Sequence, residues 1–166
     1  TASFDAVEFS AASKQFLQAA AGSTTGEAKA AAAFNAALAE LRAGVIDPQG
    51  PLALLDGIGT EAARTAGAEV HLERALYLAA GGLAGARDGL VAFVEALPNH
   101  PRRFEALVAL AELSINASPR NAAEIDRSIA AAAAAAKEPP ALETAAWLKV
   151  LAAEKAAPPD DYAKEA

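Results

Sequence analysis

The sequence predicts an all-α fold built from antiparallel helix hairpins, and three observations carry that expectation. Alanine fills 50 of the 166 positions, and alanine loses no side-chain entropy on entering a helix. Clusters of Gly, Pro, Ser and Thr interrupt the chain at regular intervals, as helix stops and starts do. Between them the apolar residues recur three and four apart, and no stretch alternates as a half-buried strand does.

The elements follow from that punctuation. A first helix is expected over about 4–21, closed by Gly22-Ser23-Thr24-Thr25-Gly26. Thr24 and Glu27 have capping-box spacing for a second helix over about 26–43. Asp47-Pro48 reads as an N-cap with proline at the first helical position, starting a short third helix over about 48–56. Gly57-Ile58-Gly59-Thr60 is a break and a new cap for a fourth over about 60–81, which stops at Gly81-Gly82. Leu90, Val91, Phe93, Val94 and Leu97 give the apolar spacing of a fifth over about 84–97. Pro98-Asn99-His100-Pro101 turns the chain into a sixth over about 101–116, where Phe104, Leu107, Val108, Leu110 and Ala111 repeat the pattern. Ser118-Pro119 opens a seventh over about 119–137, and its Ala130–Ala136 run, bracketed by Ile125, Ile129 and Pro139, reads as a tightly packed helix rather than a linker. Pro139-Pro140 starts an eighth over about 140–157, and Pro158-Pro159-Asp160 a ninth near 160.

The helices pair. The second member of each pair carries a large apolar residue with another apolar residue three later: Phe16/Ala19, Leu55/Ile58, Phe93/Ala96 and Ile129/Ala132, successive marks lying 36–39 residues apart. The first members carry Leu38-Ala39, Leu78-Ala79, Leu110-Ala111 and Leu151-Ala152, where a small residue lets the neighbouring helix approach. One repeat domain over 1–166 is expected, with hairpins at about 1–22 (partial), 26–57, 60–97, 101–137 and 140–166 (truncated).

Phe9-x2-Ala12-x3-Phe16-x2-Ala19 and Gly89-x3-Phe93-x2-Ala96-x4-Pro101 follow the second-helix pattern and terminal proline of the tetratricopeptide repeat family, with Gly89 in place of the usual alanine. Asp161-Tyr162 looks like the opening of another second helix. Pro98-Asn99-His100-Pro101 through Leu110-Ala111-Glu112-Leu113 is similar in style to repeats of bacterial envelope proteins. The chain thus resembles this family along most of its length, although its unit is longer and its fourth repeat replaces aromatics with the Ala130–Ala136 run. The resemblance implies an α-solenoid with a right-handed superhelix, a role in binding protein or peptide, and a periplasmic or envelope setting rather than a cytoplasmic one.

Composition narrows the partners. Fourteen Lys and Arg against 21 Asp and Glu give a net charge of −7, and the pI is about 4.8, which argues against nucleic acid or an anionic membrane as the main partner. No run of about 20 residues lacks polar groups, so direct membrane insertion is not expected. The chain has no Cys, which removes disulfides, thiolate metal sites and a Cys nucleophile. It also has no Met, so it is expected to be a processed or excised piece; Thr1-Ala2-Ser3 suits the start of a mature exported chain as well as the edge of a domain.

Motifs that carry chemistry elsewhere read here as structure. Gly57-Ile58-Gly59-Thr60-Glu61-Ala62 matches a dinucleotide fingerprint in letters, but Pro48 and Pro51 flank the segment where a strand is required, so it is expected to be an interhelical break. Gly81-Gly82-x2-Gly85-x3-Gly89 lacks the Lys-Ser or Lys-Thr of a phosphate loop and reads as a turn whose last glycine permits close packing. His71 is expected on a helix surface and His100 in a turn, neither with a metal-ligand neighbour. Glu69/Glu73 and Glu105/Glu112 are spaced as solvated helical stripes. Arg102-Arg103 could meet a partner's acid, although internal pairing with Glu105 is favoured. Trp147, the sole Trp, is expected to pack with Val150 and Leu151. No catalytic residue, metal or cofactor is expected.

Stacked hairpins present a concave wall lined by the first helix of each pair. With the Leu-Ala pairs in the buried seam, Glu40, Glu73, Glu105, Val108, Glu112, Asn116 and Lys149 fall near that wall. The expected function is a non-enzymatic protein-binding scaffold, its partner a protein or peptide segment that is basic and amphipathic. The alternatives are a helical non-catalytic arm of a larger envelope enzyme and a self-associating structural protein.

Overall fold

The computed structural model describes residues 2–156, and among them the chain is all-helical, with eight α-helices and no strand. The helices are α1 (Ala2–Gly22), α2 (Gly26–Arg42), α3 (Gln49–Ile58), α4 (Glu61–Ala80), α5 (Ala86–Ala96), α6 (Arg103–Asn116), α7 (Ala122–Ala135) and α8 (Pro139–Ala156). Each matches an expected helix to within about three residues. The expected ninth, near 160, lies outside the described residues.

Local chemistry sets the boundaries, and it corrects several of them. The N-cap of α2 is Thr25, whose hydroxyl accepts the Ala28 N–H at 3.2 Å, and not Thr24. Thr25→Ala is therefore expected to lower stability by about 1 kcal/mol in a denaturant melt, and Thr24→Ala by less than about 0.5 kcal/mol. Thr60 caps α4 as expected, accepting the Ala63 N–H at 3.2 Å. Asp47 does not cap α3: its carboxylate accepts from the Gln49 side chain at 2.6 Å, and the helix begins after Pro48. The α7 helix starts three residues later than Pro119 suggests, because Asn121 supplies the cap by accepting the Glu124 N–H at 3.2 Å. Gly59 ends α3 with a left-handed φ of 69°, a conformation glycine adopts without strain.

The chain divides into two compact units, one up to Gly89 and one from Leu90, with the division inside α5. In the first, α1 packs on α2, α2 on α3 and α4, and α3 on α4. Its core gathers Ala30, Ala33, Ala37, Leu52, Leu55, Ala63 and Val70, with Phe34, Leu54, Ile58 and Ala66 packed against it. Ala30, Ala33 and Ala37 recur at helical spacing on one face of α2, so leucines from α3 meet a nearly smooth surface and the axes can approach. Gly89 on α5 fits in the same way: a Cβ placed there would stand 2.9 Å from the Ala75 Cβ. The expectation of a glycine that permits close packing is met at that position.

In the second unit α6 packs on α7 and α8, and α7 on α8. Ala106, Leu107, Leu110, Ala111, Ser114 and Ile115 of α6 are buried, as are Ile125, Ile129 and Ala132 of α7 and Ala145 and Leu148 of α8. The buried Ser114 hydroxyl is satisfied by the Leu110 carbonyl one turn back, at 2.9 Å. Of the Ala130–Ala136 run only Ala132 is buried, which corrects the expectation of tight packing along its length. Seven consecutive alanines cover the whole circumference of a helix, so most of them must face away from its neighbours.

Among the described residues, 14 of the 28 buried hydrophobic side chains are alanine. Each removes little apolar area from water, so this core depends on many close contacts rather than on a few large side chains.

Candidate functional site

The seven residues expected at a binding wall fall in both units. Glu40 and Glu73 belong to the first. Glu40 is half-buried and accepts a hydrogen bond from the Ser13 hydroxyl of α1 at 3.1 Å, so one carboxylate oxygen is engaged inside the unit. Glu73, also half-buried, lines a recess between α2 and α4 of about 220 Å³, beside Leu38, Arg42 and Tyr77. Arg42 lies 5.8 Å from the centroid of the Phe9 ring, in cation–π range.

The other five lie in the second unit. Glu105, Val108, Glu112 and Asn116 follow one side of α6, spaced so that each sits about one turn beyond the last. Glu105 and Asn116 are exposed, Val108 and Glu112 half-buried, while most of the remaining side chains of that helix are covered. Glu105 is held by Arg102 through Nε at 2.7 Å and Nη2 at 3.0 Å, the internal pairing expected from the sequence. Such a partly exposed pair contributes about 0–1 kcal/mol. Asn116 donates from Nδ2 to the Glu112 carbonyl at 3.0 Å, leaving the Glu112 carboxylate outside that contact.

Lys149, on α8, lies at the rim of a groove between α7 and α8 of about 900 Å³. Its floor is Ile125, Ile129 and small alanines of both helices, and Arg120 and Asp126 complete the charged rim. Arg120 is tied down by donating from Nη2 to the Ala152 carbonyl at 3.2 Å. Nothing in the sequence spacing marks this groove, because its floor joins residues of two helices. Trp147, expected to pack, is instead 49% exposed, and Leu142 and Val150 of the same helix are exposed as well. A signal was present: Leu142, Trp147, Leu148, Val150 and Leu151 occur all round the helix rather than along one stripe, so neighbours on one side cannot cover them all.

The remaining motifs take structural places. The Gly57–Ala62 segment is the end of α3, a turn at Gly59 and Thr60, and the start of α4, with Gly59 left-handed and Thr60 capping. His71 is on the surface. His100 accepts the Arg102 N–H on Nδ1 at 3.2 Å, and its ring meets Phe93 edge-on, centroids 5.1 Å apart at 78°. Among the described residues no three His, Asp or Glu side chains come together as a metal-ligand set, and no helix is long and apolar enough to cross a membrane.

No family model, curated protein or solved structure matches the chain.

Proposed function

We propose that this protein is a non-enzymatic scaffold of stacked, tetratricopeptide-like helix hairpins that binds a segment of another protein along first-member helices. Within each unit, helices two apart in sequence touch, α2 with α4 and α6 with α8, which is the neighbour pattern of stacked hairpins. The observation that carries the binding role is the α6 stripe. Glu105, Val108, Glu112 and Asn116 run the length of a helix whose other side chains mostly go into the core, and α8, with Lys149, packs against that helix. A half-buried Val flanked by carboxylates suits an apolar residue flanked by Lys or Arg, as on an amphipathic helix or extended strand.

The test is a double charge reversal, Glu105→Lys with Glu112→Lys. Helicity should persist and stability should fall by no more than about 1 kcal/mol, the value of the lost Arg102 pair. A partner captured from the native host should associate more slowly with the double variant, and the salt dependence of association should weaken or invert. Unchanged association at low salt would remove the stripe from the binding site.

A further inference from the structure

We propose that the groove between α7 and α8 seats α1 of a second copy of this chain, so that one copy supplies the helix that completes the hairpin opened by α8 in the other. The first unit shows what such a face receives. There α2 packs against a second-member helix before it, α1, and one after it, α3, and its alanine face takes Leu52 and Leu55 of α3. Among the described residues α8 packs against α6 and α7, and no helix follows it. Ala153 and Ala156 of α8, with Ala122 and Ala130 of α7, stand exposed along the groove above Ile125 and Ile129. Walls of such small residues leave room for a large side chain and let a further helix approach.

Charge and exposure select α1 as the occupant. Of the four large residues that mark the second-member helices, Leu55, Phe93 and Ile129 are buried, whereas Phe16 of α1 is 36% exposed. Phe16 belongs to a stripe of Asp5, Glu8, Ala12, Phe16 and Ala19, spaced three and four apart on one side of α1. Asp5 and Glu8 are exposed acids at one end of that stripe. The rim of the groove carries exposed Arg120 and Lys149 against Asp126, a local positive excess in a chain of net charge −7. Seating the stripe in the groove therefore covers Phe16 with alanine and sets the two acids against the two cations. The contact joins two different faces, so it is heterologous rather than two-fold. It rests on the hairpin pairing of the scaffold reading but not on the α6 stripe, so charge reversal at Glu105 and Glu112 should leave it intact.

The test is sedimentation equilibrium of the full chain from about 10 µM to about 1 mM, at low and high salt. The mean mass should rise with concentration, and rise less at high salt. Ala153→Arg, at an exposed helical position, should keep the fold and hold the mass at that of one chain, because the new side chain fills the groove. Glu8→Lys and Lys149→Glu should each weaken association by about threefold to tenfold at low salt. An equimolar mixture of those two variants should recover it, because the reversed acid of one then meets the reversed cation of the other. The mass of one chain at every concentration would overturn the proposal, as would association that survives Ala153→Arg or a mixture no stronger than its components. If Ala153→Arg fails to fold, the mixture decides. Nuclear Overhauser contacts from Tyr162 to the Ile125 and Ile129 methyls in a monomeric chain would also overturn it, by assigning the groove to the chain's own residues 157–166.

Discussion

Phe93→Ala is expected to cost about 3–5 kcal/mol of folding stability. The ring is 4% exposed and meets the His100 imidazole edge-on. Its loss removes a large buried apolar surface, and the edge-to-face contact accounts for about 0.5–1.5 kcal/mol of the total. Against the 5–15 kcal/mol typical of a folded domain, such a loss is a large share, and it should lower the melting temperature by about 6–20 °C at roughly 2–4 °C per kcal/mol. Urea melts of the variant and the wild type measure it. A change below about 1 kcal/mol would mean that the ring is not a core element and that the 36–39-residue register which singled it out is wrong.

Gly89→Ala is expected to destabilise, against the ordinary trend. In an open helix interior this substitution gains about 0.5–1 kcal/mol, because alanine has less chain entropy to lose. At this position the new Cβ would lie 2.9 Å from the Ala75 Cβ and 3.8 Å from its Cα. Carbon atoms prefer about 3.5–4.0 Å, and neither Ala75 atom is on a side chain that can rotate away. The helices would have to separate, at the usual overpacking cost of about 1–3 kcal/mol, which outweighs the entropic gain. Ala75→Gly should restore space in the Gly89→Ala background, giving a favourable coupling of about 1 kcal/mol or more in a double-mutant cycle. If Gly89→Ala raises stability by itself, the close approach is not part of the folded state.

Both residues stood out in the sequence, Phe93 through its repeat mark and Gly89 as a glycine where alanine is usual, and the reason they were legible is that both signals are local. The same holds for the eight helices: a Gly-Thr break or a Pro-Pro pair fixes a boundary whatever packs nearby. The errors of one to three residues came from caps that compete. Thr24 and Thr25 are both able to cap, and only the turn geometry selects Thr25. Asn121 outweighed Pro119 because its side chain satisfies a backbone donor that proline cannot.

The site was less legible, because exposure depends on residues far along the chain. Nothing in the spacing of Glu40 reveals that Ser13 reaches it, and nothing in Trp147-x2-Val150 shows which side of α8 is covered. Arg102 and Arg103 are identical in composition and adjacent in sequence. A helix places consecutive residues about 100° apart, and that rotation gives one an acid and sets the other against the recess beside the 98–101 turn.

The alanine-filled core also sets how stability responds to temperature. Alanine has no rotamers to lose on burial, so ordering this interior costs little beyond the backbone. It also has little hydrocarbon surface to hydrate, and that hydration produces the heat-capacity increment of unfolding. With both contributions reduced, the increment per residue falls below the usual 12–15 or so cal/mol/K, and the enthalpy and entropy of unfolding change more slowly with temperature. The stability dome becomes shallow and wide: cold weakens the fold less than it weakens one packed with leucine and phenylalanine, and the margin against heat is spread over a broader range rather than concentrated near one optimum.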